Sequence, residues 1–206
     1  MVAEVKAAYH IPAENIFMGG ISASGTRALR YAQYCALGKS KHGIRIKGVF
    51  VVDAPLDLAR FYTSVYANAA HFKEGMLWEA TLMQKVFGQW FGGSPQAFPA
   101  TYRSASVFTH GDSMGGNAYA LKEVSLLLFH EPDIDWWLEA RGAGYFDINS
   151  YDIVAFVLQM RMLGNRHVEL VTTTQKGFDK NGQRNCHSWS IVDEVSLVRW
   201  LCEQLS

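Results

Sequence analysis

A serine, an aspartate and a histidine occur in this 206-residue sequence in contexts that suit nucleophilic chemistry. Ser22 and Asp133 each follow a short apolar run, and His187 lies in a polar loop before the last helical pattern. A serine hydroxyl is a weak nucleophile until a base takes its proton, and imidazole has a suitable pKa near neutral pH. A carboxylate beside the imidazole fixes its tautomer and stabilises the imidazolium. The three residues are therefore a candidate nucleophile, acid and base.

The residues around Ser22 predict how its hydroxyl is presented. Residues 16–18 predict a strand, residues 19–25 predict a tight turn, and the apolar positions from Ala28 to Ala36 predict a helix. Small residues on both sides of Ser22 permit a sharp, strained turn. Ser22 would then lie at the N-terminus of the helix, where free backbone N–H groups stabilise negative charge.

The segment Gly20-Ile21-Ser22-Ala23-Ser24 resembles the nucleophile elbow of the α/β-hydrolases, whose pattern is G-x-S-x-G. Ser24 replaces the second glycine of that pattern, and Gly25 follows one place later. The family's order along the chain is serine, acid, histidine, which Ser22, Asp133 and His187 follow. The resemblance extends over essentially the whole chain but only over the C-terminal portion of the family's fold. It implies that the N–H of Ala23 is one donor of an oxyanion hole.

Neighbouring residues offer alternatives for the acid and for the nucleophile. Asp135 is the alternative to Asp133, and Glu131 is a third carboxylate, because alternating side chains at a strand end cannot be assigned from sequence. Ser113, in Gly-Asp-Ser-Met-Gly, also matches G-x-S-x-G. The run before it is a weak strand and glycines interrupt the residues after it, so we prefer Ser22.

The elements that would position these residues follow from the apolar pattern. Residues 46–52, 124–129 and 167–173 predict further strands, and residues 150–163 predict a helix. A strand, helix and strand over such a distance predict a right-handed parallel unit. With the resemblance, we predict an α/β fold of three αβα layers with a mostly parallel sheet. Residues 1–55 and 121–206 would form a partial hydrolase core, and the aromatic-rich residues 56–120 a helical cap insertion.

Composition excludes several classes of function. Lys plus Arg and Asp plus Glu both number 19, so a net charge of zero directs the chain to neither nucleic acid nor an anionic membrane. No apolar run is long enough to span a bilayer. The three cysteines lack metal-ligand spacing, and we expect neither a metal nor a cofactor. No secretory signal opens the sequence, which indicates a cytoplasmic location if the sequence is complete.

The resemblance implies a serine hydrolase that cleaves an ester of a small molecule through an acyl-enzyme. A carbohydrate ester is one version, because Trp136 and Trp137 offer ring faces for a sugar. A peptidase of the same fold is the alternative enzyme. A relative that binds a small ligand without catalysis is the alternative from another class.

The resemblance also implies that the strand at residues 16–18 is central in a larger sheet. Only one helix precedes this strand here, and no segment corresponds to the family's loop that carries the second oxyanion donor. We therefore expect an open apolar edge, and a chain that is the C-terminal part of a longer hydrolase and not a competent enzyme by itself. The alternative is a dimer mate or partner chain that covers the edge.

Overall fold

The computed structural model describes residues 2–12 and 15–205, and a four-stranded parallel sheet lies at its centre. The strands are β1 (Phe17–Ile21), β2 (Gly48–Val52), β3 (Ser125–His130) and β4 (Val168–Thr172), in the spatial order 1-2-3-4. Phe17 pairs with Gly48, Gly48 with Ser125, and Leu126 with Val168. Since every pairing is parallel, the carboxyl ends of all four strands lie at one edge. The predicted α/β fold with a parallel sheet is confirmed.

The helices that the sequence predicts are present among the described residues, and a short helix that was not predicted follows the third strand. They are α1 (Val2–Ala8), α2 (Ala23–Ala36), α3 (Leu58–Ala67), α4 (Glu74–Phe91), α5 (Pro99–Ala105), α6 (Ile134–Trp136, continued by one π-helical turn, Trp137–Arg141), α7 (Asn149–Met162) and α8 (Glu194–Glu203). No helix among these is long and apolar enough to cross a bilayer.

Helices cover both faces of the sheet. On one face Val51 belongs to an apolar cluster with Leu29 of α2 and Phe156 of α7. On the other face Phe129 packs in a cluster with Trp200 of α8. Side chains alternate between the two faces along each strand, and all six residues of β3 are buried, so both faces are apolar.

Residues 56–120 contain α3, α4 and α5, which share an aromatic cluster distinct from the two clusters on the sheet. Phe61 and Phe87 meet edge to face with their ring centroids 5.9 Å apart. Trp137 and Ile148, from outside this segment, belong to the same cluster. The segment is helical and aromatic as predicted, and its description as a cap stays a prediction.

Strand β1 is an edge strand within the described residues, where it pairs with β2 alone. Its residues are partly or fully exposed, in contrast to the buried residues of β3. An edge position for this strand agrees with the expectation from sequence. The expectation of a longer hydrolase stays a prediction.

Candidate active site

Ser22 lies directly between β1 and α2 in a strained backbone conformation. Its φ of 55° and ψ of −134° are unusual for a residue that carries a Cβ, and such a conformation costs roughly 1–3 kcal/mol. The Ser22 N–H donates to the Val52 carbonyl at 2.9 Å and ties the turn to β2. Among the described residues the Ser22 hydroxyl has no hydrogen-bond partner, and Ser22 lines a cavity. The predicted turn at Ser22 is therefore present, with the hydroxyl free to meet a ligand.

Two glycines make the turn at Ser22 sterically possible. A Cβ on Gly20 would lie 2.5 Å from the Ser24 hydroxyl, and a Cβ on Gly25 would lie 2.8 Å from the Gly20 carbonyl oxygen. The Ser24 hydroxyl donates to the Ile21 carbonyl at 2.6 Å and closes the turn. Thus Gly25, one place later than in the family pattern, sits where α2 approaches the strand, and Ser24 contributes a hydrogen bond.

His187 is paired with Asp53, which the sequence analysis did not consider as the acid. The His187 Nδ1 lies 2.5 Å from Asp53 Oδ2, and Asp53 is only 2% exposed. Asp53 directly follows β2 at a φ of 39°, and Asn149 donates to its carbonyl at 3.0 Å. The backbone N–H of His187 donates to Asn185 Oδ1 at 3.1 Å. Because Asp53 engages Nδ1, the Nε2 of His187 is left for a reacting group.

The protonation of His187 depends on opposing effects. Burial lowers the pKa of the imidazole, but the hydrogen bond and the negative charge of Asp53 outweigh it, and Glu79 acts in the same direction as Asp53. The pKa of His187 is therefore raised above its usual value. A raised pKa makes the neutral imidazole a stronger base for a hydroxyl proton.

Asp133 does not orient His187, and this part of the prediction is corrected. Asp133 Oδ1 accepts from the backbone N–H of Trp136 at 3.1 Å, and Asp133 Oδ2 accepts from the Arg184 guanidinium at 2.7 Å. The carboxylate thus caps α6 and joins an ion pair, while Asp135 is exposed. The physical reason is strand order: β2 lies next to β1, whereas β3, which precedes Asp133, is one strand farther from Ser22.

Glu131 and Asp133 hold the loop that carries His187. Both carboxylates pair with Arg184, and the buried Glu131 also accepts from the Gly177 N–H at 3.1 Å. Ligand atoms of Glu131, Asp133 and Cys186 lie within 4.8 Å of one another, a spacing that suits a metal ion. However, Arg184 already pairs with both carboxylates, and burial raises the pKa of Cys186 to about 12. The cluster is therefore a set of ion pairs that fixes this loop.

Ser113 lies apart from this constellation. It is exposed in a glycine-rich turn, and its carbonyl accepts from Gln159 at 3.2 Å. A short 3-10 turn, Ala118–Leu121, follows instead of a long helix. The neighbouring His110 has its Nε2 3.1 Å from Asp152, within a buried ion-pair cluster. Ser113 therefore has neither the strand–turn–helix context nor a place in the cavity that holds Ser22 and His187.

The cavity that contains Ser22 and His187 has a volume of about 390 Å³. Phe61, Trp78 and Trp137 contribute apolar surface, whereas Glu79 and Arg141 contribute charges. A cavity of this size and composition accommodates a small organic molecule with an apolar portion. It lies at the carboxyl edge of the sheet, because Ser22 follows β1 and is tied to the end of β2.

Comparisons of the chain with models of known protein families, with curated proteins and with solved structures find no match. The resemblance to α/β-hydrolases that the sequence suggests therefore stays a prediction.

The sequence analysis missed Asp53 as a partner of His187 and did not consider Arg184 or Glu79. A signal for Asp53 was available, because it is the first polar residue after the apolar run 48–52 and follows the strand next in sequence to the one before Ser22. No sequence pattern distinguishes Glu79 from an exposed helical glutamate. Its position in the cavity depends on how α4 packs.

Proposed function

We propose that the chain carries the site of a serine hydrolase that cleaves an ester through an acyl-enzyme. One observation supports the proposal most strongly: the strained Ser22 and His187, which is paired with the buried Asp53, line the same cavity. A strained backbone persists only where the surrounding structure holds it, and such strain is concentrated at functional sites.

In the proposed reaction Ser22 Oγ attacks the acyl carbon while His187 Nε2 takes its proton. The oxyanion that forms lies near the Ala23 N–H, at the N-terminus of α2, where helix N–H groups favour negative charge. The imidazolium then gives the proton to the departing alcohol, which leaves Ser22 acylated. Water, activated by His187, attacks this acyl group and releases the acid, which restores the serine hydroxyl. Asp53 holds the imidazole orientation throughout.

The fold supports an arrangement of the α/β-hydrolase type. The parallel sheet has helices on both faces, the nucleophile follows β1, and the histidine follows β4 in a loop before α8. The helical residues 56–120 contribute Phe61, Trp78 and Glu79 to the cavity, as a cap over a nucleophile would. Trp78 and Trp137 present apolar surface for the organic part of a small ester.

Labelling with a fluorophosphonate tests the proposal, because the reagent phosphonylates activated serines. We expect a single adduct, mapped by peptide mass spectrometry to Ser22, that is lost in Ser22→Ala and retained in the control Ser113→Ala. An adduct on Ser113, or no adduct on a protein that melts cooperatively, would contradict the proposal, and the second outcome would favour a ligand-binding protein.

A further inference from the structure

The carboxylate of Glu79 is a charged group in the cavity that the proposed reaction does not use. Glu79 lies in α4 and lines the cavity together with Ser22 and His187. Among the described residues it has neither a hydrogen-bond donor nor an ion-pair partner. A carboxylate that is partly removed from water without a partner costs free energy, which a bound cation would recover.

The surroundings of Glu79 suit a cation. Phe61, Trp78 and Trp137 line the same cavity, and aromatic ring faces attract ammonium groups. The cations near Glu79 or in its cavity are already engaged, because Arg141 pairs with Glu74 at 2.5 Å, Arg60 pairs with Asp152, and His187 is paired with Asp53. Glu79 is thus the carboxylate of this cavity that remains available to a charged ligand.

The electrostatics of Glu79 agree with this geometry. Burial raises the pKa of its carboxyl, and the charge of Asp53 adds to the increase, whereas the positive charges of His187 and Arg60 oppose it. These surroundings therefore disfavour the ionised carboxylate. A positively charged ligand beside Glu79 would reverse this effect and bind more tightly for the same reason.

We propose that Glu79 binds an organic ammonium group, so that the site selects esters that carry a positive charge. This inference rests on the proposed function and names its substrate class. A neutral substrate such as a sugar ester could donate a hydrogen bond to Glu79, but it would not offset the partly buried charge. Discrimination by charge therefore separates the two classes of substrate.

The test compares 2-(trimethylammonio)ethyl acetate with its uncharged isostere, 3,3-dimethylbutyl acetate, which have nearly the same shape. Calorimetry on Ser22→Ala, which cannot turn the esters over, gives both dissociation constants. We expect the charged ester to bind at least about tenfold more tightly, from the cation–aromatic and carboxylate interactions together. In Ser22→Ala/Glu79→Gln only the cation–aromatic contribution remains, so the ratio should fall by at least about threefold.

Glu123→Gln, added to Ser22→Ala, is the matched control. It removes the same charge from an exposed residue just before β3 that does not line the cavity, so the ratio should stay unchanged. Because each ratio is taken within one protein, a variant with a lower folded fraction alters both affinities equally.

Equal binding of the two esters to Ser22→Ala, or a preference that Glu79→Gln leaves undiminished, would overturn the inference. Failure of both esters to bind would also overturn it. If the fluorophosphonate still labels Ser22 in the wild-type protein in these cases, the proposed hydrolase function stands and only the choice of substrate class is wrong.

Discussion

At His187, burial and the Asp53 carboxylate act in opposite directions on the protonation of a single imidazole. The partner prevails, and the pKa of His187 is raised. Below that pKa the imidazole is protonated and cannot accept the proton of Ser22. The same contact that orients His187 therefore also sets the pH at which the proposed reaction begins.

We predict that kcat/KM for 4-nitrophenyl acetate falls as the pH decreases through a value above 6.5, the usual pKa of histidine. In Asp53→Asn the largest contributions that oppose burial are lost, so the midpoint of the residual activity should move to lower pH. Glu79→Gln should move it in the same direction by less, since Glu79 makes the smaller contribution. A midpoint that is the same in wild type and Asp53→Asn would contradict this assignment.

The turn between β1 and α2 is the element on which the nucleophile depends. A Cβ at Gly20 would lie 2.7 Å from the backbone carbonyl carbon of Ser24, besides its contact with the Ser24 hydroxyl. We therefore expect Gly20→Ala to destabilise the protein by about 1–3 kcal/mol, as overpacking does, and to reduce labelling of Ser22. Urea denaturation monitored by circular dichroism measures the change.

Gly88→Ala is the control for that variant. Gly88 is exposed within α4, and a Cβ there meets no atom within 4 Å. Replacing glycine by alanine inside a helix stabilises it by about 0.5–1 kcal/mol. If Gly20→Ala were as stable as Gly88→Ala, the steric account of the turn would be wrong.

Elements were more predictable from the sequence than contacts between them. The apolar runs that became β2 and β3 are buried on both faces, so composition alone indicated parallel strands. The turn at Ser22 was predictable because small residues are required locally. The partner of His187 was not, because the Asp53 contact joins residues 134 positions apart and depends on strand order and loop path. Asp133 had an equally suitable sequence context, but α6 begins beside it and uses its carboxylate as a cap.

At the scale of the whole molecule, a buried ion pair joins three segments behind the site. Asp152 of α7 accepts from Arg60 of α3 at 2.6 Å and from the backbone N–H groups of Leu56 and Asp57 at 3.0 Å each. Burial raises the pKa of Asp152, but Arg60 and the other donors outweigh it and hold the pKa at about 2. The pair thus fixes the segment that follows β2 and Asp53.

Removing this carboxylate should destabilise the whole protein. We expect Asp152→Asn to lower the free energy of unfolding by about 3–5 kcal/mol, because Arg60 is left buried without its counter-ion. Asp112→Asn, which breaks the largely exposed pair with Arg103, should cost no more than about 1 kcal/mol. Urea denaturation at pH 7 compares the two variants, and similar losses would contradict the structural role of Asp152.

The same carboxylate predicts how stability depends on pH. Its folded pKa of about 2 lies below the usual 3.8, so its contribution is present above about pH 3.8 and is lost as the pH falls towards 2. The lowered pKa of Asp152 contributes roughly 2 kcal/mol to the free energy of unfolding at neutral pH. The free energy of unfolding of wild type should therefore fall by more than that of Asp152→Asn between pH 5 and 2.5. Equal losses in the two proteins would contradict this role of Asp152.

The order of the strands places Asp53, and not Asp133, beside His187. One measurement tests directly whether Asp53 is the acid of the proposed site. Steady-state hydrolysis of 4-nitrophenyl acetate compares Asp53→Asn with Asp133→Asn, after circular dichroism has shown both to be folded. We predict that Asp53→Asn lowers kcat by about 10³- to 10⁴-fold, because the imidazole loses its tautomer and orientation. Asp133→Asn should lower it by less than about tenfold, since the amide oxygen of the new side chain can still cap α6, and Glu131 still pairs with Arg184. A severe loss in Asp133→Asn together with near-normal turnover in Asp53→Asn would contradict the proposed site.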